Sequence, residues 1–275
     1  MVNKDNHTPL VSVIMATFNE PVPYINDAIS SILNQTYHHI ELIIVDDSTN
    51  EDTRKAIDIQ AAEDKRINVI RKNERLGFVK SLNEGLRHSK GNFIARIDGD
   101  DIACKDRIEK QIQYFQNHPE TDILGGAMNI INDNGEITSV RCYPKGGLKL
   151  RLWMIMRNPI GHPTVMFKAA IPRAGYYYDE TMNKGCEDLE MWFRLRNRGY
   201  KINNMDDVLV NYRVYVDMAK KRKRDKNQNI RARLKNFSFR HLINDSSSLM
   251  FFGLRSVIPG QIISWFYRKE NNLTF

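Results

Sequence analysis

One phrase recurs through the first hundred residues of this chain: a short apolar run that stops on polar residues, then a longer stretch with apolar residues at helical spacing. Val11–Ala16 stops at Thr17-Phe18-Asn19-Glu20-Pro21, and Ile25, Ala28, Ile29, Ile32 and Leu33 then share one helical face. Glu41–Val45 follows and closes on Asp46-Asp47-Ser48. A helix over 53–62 with a strand over 68–70, and a helix carrying Val79, Leu82 and Leu86 before the strand Phe93–Ile97, complete the series. Strand–helix repeats of this length predict an α/β fold: a mostly parallel central sheet, right-handed crossovers, and helices on its faces. Ligands of such sheets bind beyond the C-terminal ends of the strands. The acidic groups at 46–47 and 98–101 both fall there.

The second of these groups carries the sharper chemistry. Ile94-Ala-Arg-Ile-Asp-Gly-Asp-Asp101 is a buried-strand pattern that ends on Asp98, Asp100 and Asp101 around a turn-forming Gly99. Clustered carboxylates repel one another, and a divalent cation relieves that repulsion while leaving positions open to phosphate oxygens. An acidic turn with no ion is the alternative. The chain has neither a GxGxxG after its first strand nor a GxxxxGK[ST], so phosphates need another mode of binding. A metal on Asp100 bridging a diphosphate, Asp47 accepting from a base N–H and Asp98 near a ribose hydroxyl would suit a nucleoside diphosphate. Arg96, beside the acids, is placed to pair with one of them.

Further along, Ile108, Ile112 and Phe115 mark a helix, Ile123–Ile131 an apolar strand, and Asp133-Asn-Gly135 a turn. The stretch 141–175 is richer in Gly and Pro and reads as loops and short strands over a cleft. Leu189, Trp192, Phe193 and Leu195 suggest a buried helix opened by Glu187-Asp188, acids that equally suit a helix cap. The three cysteines lack metal-ligand spacing and the polar N-terminal segment 1–9 lacks a signal-peptide core, which together point to the cytoplasm.

The net charge of +8 is concentrated late: 218–241 holds ten Lys or Arg against the single Asp225. The apolar 249–266 that follows contains Arg255, Pro259 and Gln261, too broken for the roughly 20 apolar residues of a spanning helix. Basic stretch and aromatic-bearing segment together fit contact with an anionic membrane surface. A solvated charged face and a core-packed helix are the alternatives. Nucleic acid is disfavoured because 218–235, which holds nine of the ten charges, has no aromatic residue interleaved for base stacking.

Taken in order, Val11-Ser-Val-Ile-Met-Ala-Thr-Phe-Asn19, Ser31-Ile-Leu-Asn-Gln-Thr36, Glu41-Leu-Ile-Ile-Val-Asp-Asp-Ser48, Ile97-Asp-Gly-Asp-Asp101 and Glu187-Asp-Leu-Glu-Met-Trp192 resemble the inverting family 2 glycosyltransferases of the GT-A class. The similarity covers about residues 10–215, with 216–275 as a helical, basic and amphipathic C-terminal extension. It implies a Rossmann-like GT-A domain that transfers a sugar from a nucleotide sugar, a UDP-sugar by preference, to a glycan hydroxyl. The acceptor is expected to be lipid-linked and the setting bacterial capsule, exopolysaccharide or lipopolysaccharide synthesis on the inner face of the cytoplasmic membrane.

Carried over residue by residue, the resemblance puts Thr17, Asn19 and Glu20 at the edge of the nucleotide pocket and Asp47 on the uracil. Asp98 and Asp100 match the DXD pair that binds Mn2+ or Mg2+, and Arg213 is placed to reach the diphosphate. Asp188 matches the catalytic base, with Glu187 the fallback, while His162 and Trp192 belong to the acceptor side. The competing functions are a nucleotidyltransferase and a nucleotide-binding regulatory module. The Glu187-Asp188 pair argues against both.

Overall fold

The apolar runs read above are all strands in the computed structural model, which describes residues 8–183, 185–215, 226–238, 241, 245–247 and 249–250. β1 (Val11–Thr17), β2 (Ile40–Asp46), β3 (Ile67–Ile70) and β4 (Phe93–Asp98) form the parallel run β3-β2-β1-β4. Every residue of β1 is buried, as a central parallel strand covered on both faces requires. The register sets Thr17 opposite Asp46 and Ala16 opposite Asp98, so three strands end in one row of polar groups.

Helices α1 (Val22–Leu33), α2 (Glu51–Glu63), α3 (Phe78–His88) and α4 (Arg107–Asn117) connect and cover this run. α1 buries Ile25, Ala28, Ile29 and Ile32, the i, i+3, i+4, i+7 stripe of a core-facing helix. α2 is opened by Asn50, whose side chain accepts from the Asp52 and Thr53 amides. Val79, Leu82 and Leu86 of α3 and Ile108, Ile112 and Phe115 of α4 are all buried.

Beyond β4 the pairing changes sense. β5 (Ile102–Ala103), β6 (Ile123–Ile131), β7 (Ile137–Arg141), β8 (Met166–Lys168) and β9 (Ile202–Arg213) extend the sheet in the order β4-β8-β6-β9-β5, with β7 paired on β6. β8 runs antiparallel to β4 and β6, whereas β6 and β9 are parallel. The expected sheet is therefore present, with an antiparallel insertion at its middle.

Three elements were not legible in the sequence. The stretch 141–175, read as loops and short strands, contains the ten-residue helix α5 (Gly147–Met156) as well as α6 (Ala170–Arg173). α5 has apolar residues on both sides, Leu150 and Met154 inward and Leu148 and Leu152 outward, so no single face marks it. β9 was hidden by its asparagines and aspartates. Its buried Asn204 donates to the carbonyls of Pro144 and Pro159, both at 2.9 Å.

α7 (Glu187–Asn197) is the helix expected after Glu187-Asp188, and α8 (Lys226–Lys235) packs beside it. Arg233 is buried and donates to the Met154 carbonyl at 2.7 Å, while the Arg196 guanidinium meets Asp245 at 2.9 Å. Part of the basic stretch therefore packs on the core. Residues 216–225, which hold half of the ten basic residues, and nearly all of the amphipathic 249–266 lie outside the described residues. Among the described residues no helix is long and apolar enough to cross a membrane.

Candidate active site

The carboxylate turn sits where β4 ends. Ligand oxygens of Asp98, Asp100 and Asp101 all lie within 4.8 Å of one another. Gly99 permits this, because a Cβ there would meet the Ile25 Cδ1 at 3.1 Å and the Glu20 Cδ at 3.3 Å. Arg96 is buried and forms an ion pair with Asp98. The Tyr215 hydroxyl donates to Asp100 at 2.9 Å, and the Arg213 amide donates to Asp101 at 2.9 Å.

Burial, reinforced by the charge of Asp98, pushes the Asp100 carboxyl up to about 6 and the Asp101 carboxyl well above the usual range. The second Asp101 oxygen is buried and has no hydrogen-bond partner. One guanidinium does not neutralise three clustered carboxylates, and an all-oxygen donor set of this kind suits a hard divalent cation. The residues therefore fit a metal.

Arg213 is buried against the same turn. Its guanidinium donates to the carbonyls of Asp100 at 3.1 Å and Asp133 at 3.2 Å and lies 4.0 Å over the Tyr24 ring. Expected at the diphosphate, it braces the backbone that presents Asp100. Arginine suits this, because its fork of donors satisfies several carbonyls at once.

The loop after β1 lies against this turn, with Thr17 and Glu20 next to Gly99. Asn19 adopts φ 60°, a left-handed conformation that a short polar side chain tolerates. Its side-chain oxygen accepts from the Thr49 and Asn50 amides, both at 2.8 Å, and so ties this loop to the one after β2. Glu20 accepts from the Thr17 hydroxyl and from the Phe18 amide at 2.7 Å. Burial pushes its carboxyl up to about 7. Asp47 accepts from the amides of Leu76 at 2.9 Å and Gly77 at 2.6 Å, holding the loop that leads into α3.

On the far side of Arg96 lies the second acidic group. The positive φ of 68° at Cys186 turns the chain sharply into α7 and presents Glu187 and Asp188 in its first turn. Asn158 donates its side-chain amide to Asp188, and the Glu187 carboxylate stands 3.9 Å from His162 Nδ1. His162 Nε2 meets the Tyr178 hydroxyl at 2.9 Å. Burial holds this imidazole well below its usual pKa, with the Arg96 charge adding to the effect.

Trp192, expected to face the acceptor, is completely buried and meets His162 edge-on at 6.2 Å. It supports the imidazole from behind and makes no wall of the cleft itself. Arg96 stands between the two groups: it pairs with Asp98 and lies 5.4 Å over the Phe78 ring, which meets His162 edge-on at 6.3 Å. The fold thus joins two acidic groups that lie far apart in sequence. Tyr178 and Tyr215 escaped the sequence reading; Tyr215 lies two residues beyond the β9 end, whereas nothing local marks Tyr178.

Residues 12–175 match the model for glycosyl transferase family 2. The chain belongs to that family. The amylovoran biosynthesis glycosyltransferase AmsE of Erwinia amylovora is 30% identical to this glycosyltransferase over 216 residues, 78% of this chain and 80% of its own. A mannosyltransferase from Pyrobaculum calidifontis, solved with GDP-Man and Mn2+, superposes with a TM-score of 0.66 at 17% identity, covering 89% of this chain and 70% of that one. S. aureus TarS 1–349 with UDP-GlcNAc gives a TM-score of 0.65 at 19% identity, covering 88% and 71%. This chain covers 39% of a longer TarS chain. At these identities the superpositions establish the GT-A fold of the glycosyltransferase.

Proposed function

We propose that this glycosyltransferase moves a sugar from a nucleotide sugar, a UDP-sugar first, to a hydroxyl of a lipid-linked glycan, with inversion, in bacterial surface polysaccharide synthesis. The observation that carries the proposal is the Asp98–Asp100–Asp101 turn together with the Glu187-Asp188 start of α7, the two joined through Arg96, Phe78 and His162. The former suits a diphosphate and its cation, the latter a proton acceptor. Both solved neighbours bind nucleoside diphosphate sugars, and the Erwinia relative is named for polysaccharide synthesis.

Asp98 and Asp100 would hold Mn2+ or Mg2+, which when bound neutralises charge developing on the departing diphosphate. Arg213 and Tyr215 fix the position of Asp100, and Thr17, Asn19 and Glu20 shape the nucleotide's edge of the pocket. Asp47 faces the base. Asp188 accepts the proton of the acceptor hydroxyl as that oxygen bonds to the anomeric carbon and the bond from that carbon to the diphosphate oxygen breaks. A single displacement inverts the anomeric centre, so an α-linked donor gives a β-linked product. His162, neutral and fixed by Tyr178, lines the acceptor side, and Glu187 is the alternative base. The basic extension would hold the enzyme to the anionic inner face of the cytoplasmic membrane, where lipid-linked acceptors reside.

The test is a panel of UDP-, GDP- and TDP-sugars with manganese or magnesium, scored for nucleotide release and for the anomeric configuration of the product. Retention of configuration, or no release from any donor, overturns the proposal.

A further inference from the structure

The described surface carries one helix, α5, with apolar residues on both its covered and its outer side. Leu150 and Met154 of α5 face the core, while Leu148, Leu152 and Met156 are 70%, 53% and 39% exposed. The exposed three are spaced by four residues and therefore form a single stripe along the outer face. A helix with apolar residues on both sides is ordinarily covered on both. Nothing among the described residues covers the outer side of this one.

Its charges indicate the occupant. Lys149 and Arg151, both exposed, border the stripe on either side, and residues 142–157 contain four Lys or Arg and no acid. A second apolar patch lies on α8, where Ile230, Arg231, Leu234 and Lys235 line a shallow surface depression, Lys235 being ion-paired with Asp179. The buried contact of Arg233 with the Met154 carbonyl fixes α8 against α5. Apolar side chains rimmed by cations match an anionic lipid surface, where the leucines enter the acyl boundary and the cations meet headgroup phosphates.

We propose that the outer face of α5 is the membrane-docking surface of this enzyme, with an anionic bilayer as its occupant. The inference rests on the proposed use of a lipid-linked acceptor and adds to the contact of the basic extension one made by α5, which lies outside it. α5 is also tied to the chemistry. Trp153 donates its indole N–H to the Asn158 carbonyl at 3.0 Å, and the Asn158 side chain holds Asp188. A docked α5 therefore sets the position of the base above the bilayer, where the hydroxyl of a lipid-linked sugar is presented.

Flotation of the full chain with vesicles of phosphatidylcholine alone, and with about a quarter phosphatidylglycerol, tests the assignment. The wild type should float with the anionic vesicles at low salt and not with the neutral ones. Leu148→Gln with Leu152→Gln should reduce the vesicle-bound fraction more than about tenfold, given the apolar area withdrawn from lipid. Nucleotide release and thermal melting should stay unchanged, because both positions are exposed. Lys149→Gln with Arg151→Gln should weaken binding and flatten its salt dependence.

Equal flotation of the leucine variant and the wild type overturns the proposal, because the extension then binds without α5. So does a wild type that ignores anionic vesicles, or one that forms a dimer which the leucine variant loses, since a second copy then covers the stripe. A protein that floats as expected but releases no nucleotide from any donor counts against the proposed function and leaves the docking surface standing.

Discussion

The two halves of the site are built differently. The proposed donor half hangs from β1, β2 and β4, whose parallel ends place Thr17, Asp46 and Asp98 in one row through backbone register. The proposed acceptor half is assembled by side-chain hydrogen bonds across long stretches of chain: Asn158 to Asp188, His162 to Tyr178, and Asn204 to two carbonyls. A strand end fixes a carboxylate wherever the core is intact, whereas a hydrogen-bonded cluster depends on each of its members. Changes in the donor half should therefore act mainly on the group replaced, and changes in the acceptor half should spread to its neighbours.

The largest separation between the halves should appear at the proposed base. Asp188→Asn is expected to lower kcat about 10²–10⁴-fold, the usual contribution of a general base, with donor binding unchanged. Steady-state kinetics alongside calorimetry with UDP separate the two quantities. A mild Asp188→Asn beside a severe Glu187→Gln moves the base one residue back. On the donor side, Asp100→Ala should reduce kcat/KM by about 10²–10³-fold, as losing one electrostatic stabiliser does, and weaken the apparent affinity for manganese. Full activity at saturating metal would falsify the assignment of Asp100.

The joint between the halves is open to a stability test. Asn83 of α3 donates to the Tyr178 carbonyl at 2.9 Å and accepts from the Tyr178 amide at 2.8 Å, spanning ninety-five residues. Asn83→Ala leaves both buried backbone groups unpaired and should cost about 1–3 kcal/mol in urea unfolding. Turnover should fall too, because Tyr178 orients His162. A variant that loses stability while keeping full turnover would detach Tyr178 from the acceptor side.

His162 supplies a pH-dependent version of the same test. Burial depresses its folded pKa, so below pH 6.5 the unfolded chain takes up a proton that the folded chain refuses. Its stabilising effect is full above pH 6.5 and is lost as the pH falls, by about 1.4 kcal/mol per unit for one proton. Relative to His162→Gln, the wild type should therefore lose stability progressively below that pH in denaturant titrations. Parallel pH profiles for the two proteins would show that the imidazole is not held neutral.

The same contrast explains what the sequence revealed. β1, β2, β4 and the faces of α1, α3 and α4 were readable because each is a local pattern of apolar residues, and the acids at their ends were visible as interruptions. α5 and β9 were not, because α5 lacks a single apolar face and β9 carries asparagines whose partners come from distant loops. Glu187 and Asp188 were legible as a motif, but their link to the donor acids runs through Arg96, whose contacts no spacing rule exposes. Trp192 was misplaced for a related reason: its type and position suit a cleft wall, and only the packing shows it wholly buried.

The smallest expected effect is also the most discriminating on the donor side. Asp47 has two candidate tasks: accepting from the nucleotide base, and accepting from the Leu76 and Gly77 amides that hold the loop before α3. Asp47→Ala should weaken UDP binding by an amount typical of one hydrogen bond, about 0.5–1.5 kcal/mol, or up to roughly tenfold. Inorganic diphosphate, which has no base, provides the control. If Asp47 contacts the base, calorimetry should show weaker binding of UDP and unchanged binding of diphosphate. An equal loss for both ligands would mean that Asp47 acts by shaping the loop, and the base contact would have to be sought elsewhere along the edge formed by β1 and β2.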